Sequence, residues 1–282
     1  MKNMLASAGL ITLGAVGVQS AQAQFLAANP EKPWSISGTL RGFYDDNYNT
    51  QPNGSLRVGS YGFEVRPAIT FNLPLDQTTL SLSYVYDLKW FEARVSGNTD
   101  QSHDVEIFLN HNFSPRYSLD FENSFVIAQE PEVIDRSLSV PTRTNGSNLR
   151  NNGAFNFHAE VTELLGLVLG YSNTFYDYAE NNQNQNPFDV NPSRSALLDR
   201  IEHLVSLNSR WHVLPETTAI FGYQFGAVDY LSGQSIAVKQ LAIVPPFPFP
   251  QLVRPSGPIA SDRNNFSHYL YIGAEHSLRS DL

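Results

Sequence analysis

The sequence predicts an all-β protein whose strands run antiparallel, up and down, and three observations carry that expectation. Beyond residue 33, apolar and polar residues alternate over long stretches, which is the two-residue period of a strand. The connections between these stretches are in turn very short and long. The stretches also exceed the ~5–6 residues of a mean soluble strand and reach the ~9–11 that a tilted strand needs to cross a bilayer. A soluble sandwich has no reason to gather its short turns at one end, whereas a membrane barrel has tight turns on one side and free loops on the other. The expected architecture is a transmembrane antiparallel up-and-down β-barrel with about ten strands present.

The N-terminus reads as an export address. Lys2 supplies a positive charge, Leu5 to Val18 are uncharged and apolar or small, and Ala21-Gln22-Ala23 fits a small-x-small cleavage site. That core, at about 14 residues, falls short of the ~20 of a spanning helix. We expect a signal peptide over 1–23, a periplasmic segment over 24–33 and the barrel over 34–282, in the outer membrane of a Gram-negative cell. The chain of 282 residues has no Cys, so neither a lipid anchor on Cys nor a disulfide framework is expected. Its net charge of −9, without a block of Lys or Arg, argues against a nucleic-acid partner. Only 16% of residues are charged while 12% are aromatic, a blend suited to a wall greasy outside, wet inside and ringed by aromatics at the headgroups.

The first strand is expected over Trp34 to Tyr44, with Trp34, Ile36, Leu40 and Tyr44 opposite Ser35, Ser37, Thr39 and Arg41. The second runs from about Gly59 to Leu73, with Tyr61, Phe63, Val65, Ile69 and Phe71 opposite Ser60, Glu64, Arg66 and Thr70. In the third, Leu80, Leu82, Tyr84, Leu88 and Trp90 oppose Ser81, Ser83, Asp87 and Lys89. A two-residue turn at Asp76-Gln77 would set Arg66 opposite Asp87, Glu64 opposite Lys89, Ile69 opposite Tyr84 and Phe71 opposite Leu82. Val105 to Phe113 and Tyr117 to Ile127 read as the fourth and fifth strands, joined at Ser114-Pro115-Arg116. The sixth is expected at about Ala154 to Val161 and the seventh at Leu165 to Tyr171. The eighth spans Arg200 to Trp211, and the ninth holds Ala219, Phe221, Tyr223 and Phe225. The tenth, about Phe266 to Ser277, carries apolar or aromatic residues on both faces, which leaves its orientation open.

Short links fall near Asp76, Pro115, Glu163 and Pro215, and long ones at 46–57, 92–103, 130–153, 179–195 and 232–264. A periplasmic N-terminus puts every tight turn in the periplasm and every long loop outside. Asn181 to Asn191 reads as a solvated loop. The proline-dense Val244 to Val253 reads as a stiff extended tip, a constriction or a partner-facing rim.

The stretches Arg57 to Leu75, His111 to Leu119 and Phe125 to Val133 resemble the β-barrel porin 2 family. The resemblance implies an outer-membrane barrel, similar in some members to proteins linked with exopolysaccharide export. It rests on strand and turn sequences and implies no catalytic residue. Outer-membrane barrels usually end on a strand with a terminal aromatic that the outer-membrane assembly machinery reads. This chain ends Arg279-Ser280-Asp281-Leu282, so the expectation is a fragment of a larger barrel, the other reading being a complete ten-strand one.

Arg41, Glu64, Arg66, Asp87, Lys89, Glu106, Asp120, Glu122, His158, Glu160, Arg200 and Glu202 fall on the polar parity of their strands and are the candidates to line the interior. They could tune a hydrated passage, or plug a small barrel with cross-strand ion pairs. Strand number decides, since about 8 strands leave room only for side chains while 16–18 leave a channel. Asp45-Asp46 and His103-Asp104 evoke the couples of omptin-type proteases, but adjacent strand residues point to opposite faces. Trp34, Tyr44, Tyr61, Trp90 and Trp211 suit headgroup girdles. Neither a cofactor nor a metal is expected. The expected function is passive passage or export of small solutes or saccharides, with outer-membrane lipid as partner. A narrow structural or adhesive barrel is the alternative, and an omptin-like protease the remote one.

Overall fold

The computed structural model describes residues 33–48, 54–55, 57–95, 97–129, 132–135, 140–143, 146–185, 187–243 and 249–277. The expected signal peptide, most of the segment after it, residues 244–248 and the C-terminal five residues lie outside them. The chain is all-β. Its strands are β1 (Trp34–Asp45), β2 (Ser60–Pro74), β3 (Thr78–Phe91), β4 (Thr99–Ser114), β5 (Tyr117–Gln129), β6 (Glu132–Asp135), β7 (Val140–Arg143), β8 (Ser147–Glu160), β9 (Leu165–Tyr178), β10 (Arg200–Leu214), β11 (Thr217–Tyr230), β12 (Gln240–Ile243), β13 (Pro250–Val253) and β14 (Asn265–His276). Ten of them form one antiparallel up-and-down sheet in the order β1-β2-β3-β4-β5-β8-β9-β10-β11-β14, while β6-β7 and β12-β13 are hairpins inside long connections. Among the described residues β1 and β14 each pair on one side only, so the sheet is open there.

Tight turns close one end. Leu75 and Thr78 exchange backbone bonds around Asp76-Gln77, with Leu75 N donating to Thr78 O at 2.7 Å. The register that follows is the one expected from that turn: Glu64 opposite Lys89, Ile69 opposite Tyr84, Phe71 opposite Leu82. The ladder skips Arg66 and Pro67 and resumes in step beyond them, because proline brings no N–H to the pairing. At Thr162 the hydroxyl accepts from the amides of Leu164 and Leu165, at 3.2 and 3.0 Å. Beta-bulges at Asn112/Ser114 and His212/Leu214 mark the same end.

Several boundaries differ from the expected ones. β8 begins at Ser147 rather than near Ala154, because its first turn's worth of residues, Asn148 to Gly153, is polar on both faces and hides the alternation. β4 begins at Thr99, six residues before Val105, and β9 runs on to Tyr178. Pairing with β11 also orients β14: Leu270 faces Tyr223 and Ile272 faces Phe221, while Tyr271 faces Gly222 and Tyr269 faces Gln224.

Burial across the sheet is inverted relative to a water-soluble protein. On the polar face Ser60, Glu64 and Ala68 are 2%, 5% and 7% exposed. On the apolar face Leu40, Ile272 and Leu270 are 77%, 74% and 83% exposed. The buried apolar residues described are Phe91 and four alanines, too few to form a core. Side chains on the polar face also reach across an intervening strand. Phe43 of β1 packs on Phe91 of β3 with ring centroids 5.2 Å apart, and Tyr271 of β14 hydrogen-bonds Asn208 of β10. In both cases the residue between is a glycine, Gly62 or Gly222, over which the ring lies. The sheet therefore curls toward its polar face.

Gly222→Val should drive a side chain into the Tyr271 ring and lower stability by about 1–3 kcal/mol, as overpacking does. The measurement is the urea midpoint followed by tryptophan fluorescence, with Tyr271→Ala in the same chain restoring part of the loss.

Candidate functional site

Two structures share the end of the sheet that bears the long loops: the polar face of the strands, and a cap folded from the connections after β9 and β11. All twelve residues singled out from the sequence lie on the polar face, by the alternation and the strand register. Arg41 is ion-paired with Glu64, whose other neighbour in the row is Lys89. Asp120 accepts from Asn110 Nδ2 at 2.6 Å and lies 3.0 Å from His158 Nε2. Arg200 pairs with Glu202 at 2.6 Å and stands 4.2 Å over the Tyr176 ring. Glu106 receives a long contact, 3.4 Å, from the Ser83 hydroxyl.

Other members of this face were not singled out beforehand. Arg150, Tyr176, Arg200 and Tyr230 lie in one cross-strand row over β8 to β11, and Arg263 stacks on Tyr230 at 3.8 Å. Arg210 pairs with Glu275 at 2.5 Å across β11. Arg150 was hidden by the early start of β8, and Glu275 by the ambiguous last strand. Exposing the row needed the start of β8 and the ends of β9 and β11 as well, since Tyr176 and Tyr230 lie beyond the stretches read from the sequence. With Asp104, which also faces inward opposite Val85, carboxylates outnumber cations on this face: Asp104 and Glu275 join seven acids singled out from the sequence, Arg150 and Arg210 join four bases. The excess of carboxylates gives this face a negative potential.

The omptin-like couples are not assembled. His103 lies on the apolar face with its Nδ1 2.8 Å from the Tyr84 hydroxyl, while Asp104 lies on the polar one. Asp45 caps its own turn by accepting from Asn47 N at 2.9 Å, and Asp46 pairs with Arg57 at 2.6 Å.

The cap holds buried polar groups in a tight network. A short helix, α1 (Arg194–Leu198), is capped by Ser193, and Ser193, Arg194 and Ser195 are all buried. Gln234 ties the two loops together: its Oε1 accepts from Ser193 Oγ at 2.8 Å and from Asn182 N at 2.9 Å, and its Nε2 donates to Ser195 Oγ at 3.1 Å. Arg254 donates to Gln185 Oε1 and to the Asn191 carbonyl at 3.2 and 3.1 Å. Arg263 donates to the carbonyls of Ala196 and Leu197, at 2.8 and 2.9 Å, just where a helix C-terminus needs donors. The segment read as a solvated Asn-rich loop is thus internally bonded, its Asn181 side chain accepting from Gln183 N and Asn184 N at 2.8 and 3.3 Å. The described part of the proline-dense stretch is β13, paired with β12. Asp199 anchors the cap to the sheet, accepting from Tyr178 N at 2.8 Å and from the Ser195 hydroxyl. Burial pushes its carboxyl above the usual range, against the Ser195 and Tyr178 hydrogen bonds, which favour the ionised form.

Asp199→Ala should cost about 1–3 kcal/mol of local stability by stranding two donors, read as faster protease cleavage within 179–199 and 231–264. An acid whose folded value is raised binds more protons folded than unfolded, so protection of the cap should rise as pH falls toward the ordinary carboxylate range. Asp199→Asn should abolish that pH dependence.

No family model matches the chain, and no curated protein matches it either.

Proposed function

We propose that this chain is an outer-membrane β-barrel that lets small hydrophilic solutes or saccharides pass through the envelope, with its polar face as the lining and its apolar face against lipid. One observation carries the reading: the ten long strands gather charged side chains on one face, with Glu64 buried there, and expose bulk hydrocarbon on the other. Water would penalise that partition, since each exposed Leu or Ile forgoes about 1.5–3 kcal/mol of burial, whereas a bilayer reverses the sign. The requirement that every backbone group in hydrocarbon be paired favours closure of the sheet at the β1 and β14 edges. In this reading the leader over 1–23 directs export, and the loops with their cap face outward. No chemistry on the solute is proposed, because His103 and Asp104 point to opposite faces. The folded cap supports a second reading, a narrow non-conducting barrel that presents a rigid surface for structural or adhesive contact.

Planar-bilayer recording separates the two. The passage reading expects discrete channel openings with a reversal potential that favours cations, since acids exceed bases on the lining. Replacing Glu106 and Glu122 by Gln should weaken that preference, each carboxylate contributing up to about 1 kcal/mol, roughly fivefold. A folded, inserted protein with no conductance leaves the surface role.

A further inference from the structure

Five of the seven histidines lie on the apolar face, where a charged or strongly polar group is least welcome, and they are not scattered. Three make the same contact. His103 with Tyr84, His203 with Tyr171 and His268 with Tyr223 each join imidazole Nδ1 to a tyrosine hydroxyl at 2.8, 2.8 and 2.7 Å. The ring pairs repeat in shape as well, with centroids 6.2, 6.1 and 6.0 Å apart and interplanar angles of 21°, 24° and 29°. Each is a diagonal cross-strand pair: Tyr84, Tyr171 and Tyr223 sit directly opposite Val105, Val205 and Leu270, two residues along from the histidine. The level repeats too. The tyrosines fall six positions into strands that begin at Thr78, Leu165 and Thr217, and the histidines three or four positions into strands that begin at Thr99, Arg200 and Asn265.

The other two histidines of this face mark a second level. His111 bonds Thr78 Oγ1 at 2.8 Å and His276 bonds Thr217 Oγ1 at 2.9 Å, both at the tight-turn end. In β4 and in β14 the two levels are eight residues apart, 103 to 111 and 268 to 276, and the same face between them holds only Val105, Ile107 and Leu109, or Leu270, Ile272 and Ala274. Eight residues span about 27 Å of strand. Tilted by ~40°, that is about 20 Å of height, close to the ~25 Å apolar band of an outer-membrane barrel.

We propose that the three Tyr–His pairs are binding sites for the phosphate of lipid headgroups at the loop-bearing membrane surface, an inference that rests on the barrel reading above. The chemistry is specific. A tyrosine hydroxyl donating to Nδ1 makes Nε2 the N–H donor of the neutral ring, and Nε2 has no protein partner among the described residues. Imidazole N–H and a phosphate oxygen form a hydrogen bond that strengthens as the ring gains charge. Tyrosine is an amphipathic side chain suited to the same interface. Hydrocarbon offers no acceptor for Nε2–H, so an unserved donor at this level would cost free energy. The headgroup is the occupant available at that height.

The test uses the full chain folded in detergent micelles, titrated with phosphatidylglycerol and separately with monogalactosyl diacylglycerol, which has similar tails and no phosphate. Native mass spectrometry counts bound lipids. We expect up to three phosphatidylglycerol molecules retained and the galactolipid held at least tenfold more weakly. The triple substitution His103→Phe, His203→Phe and His268→Phe should erase the difference. Tyr84→Phe, Tyr171→Phe and Tyr223→Phe together, which keep the rings and lose the hydroxyls, should weaken phospholipid binding several-fold. Equal retention of the two lipids by the parent chain overturns the proposal, as does phospholipid binding unchanged in the histidine variant. Heat-modified gel mobility checks that each variant is folded. A parent chain that stays monodisperse without detergent and ignores vesicles instead removes the barrel reading, an outcome distinct from both.

Discussion

A strand turns successive side chains to opposite faces, and ten strands locked in antiparallel register convert that local habit into a partition of the whole molecule. One residue of slip in any strand would move Glu64, Asp120 or Glu202 onto the apolar side and bring Leu or Phe to the polar one. The tight turns at Asp76-Gln77 and Thr162 therefore do more than reverse the chain, because they fix the register on which the separation of charge from hydrocarbon rests. The bulges near Ser114 and Leu214 stand at the turn end, where an extra residue perturbs neither face along the length of the strands.

The separation explains features that look unrelated. Glycines at 62 and 222 let an aromatic ring lie across the middle strand on the crowded face, tying strands that are not neighbours. Arginines on the same face are matched by nearby acids or stacked on tyrosine rings, as ions removed from bulk water must be. On the opposite face polar side chains are fewer: histidines bonded to Tyr or Thr, asparagines such as Asn123, which donates to Asn151 at 3.1 Å, and Gln101, Ser209, Asp177 and Asp229. The cap follows the same logic in miniature. It has almost no apolar core, so Gln234, Asp199, Arg254 and Arg263 hold it by hydrogen bonds whose donors and acceptors come from both long loops.

Legibility varied with how cleanly each strand alternates. The β2-β3 hairpin was readable in register, with Arg66–Asp87 the one expected pair that the ladder skips, because both strands are long and largely alternating and the turn is two residues long. The start of β8 was not, since Asn148, Asn151 and Asn152 put amides on both faces and a two-residue period disappears when both faces are polar. The loss of that boundary concealed Arg150 and with it the row of Arg and Tyr that crosses four strands. The Asn-rich loop misled for a different reason. Its composition is that of solvated coil, yet side chains 52 to 69 residues away, on the connection after β11, supply partners that order it.

By itself the sequence determined the strands, their up-and-down order, the end at which short turns gather, and the face on which twelve charged or titratable side chains lie. Those properties follow from steric alternation and turn length, which act between residues close along the chain. Only the tertiary structure decided which way the last strand faces, which residues meet across two or three strands, and that two loops fold into one cap. Each of these depends on pairing between segments distant in sequence, where no local period carries the information. The matching levels of the Tyr–His pairs belong to the same class, because a common height exists only once the registers of β3-β4, β9-β10 and β11-β14 are set side by side.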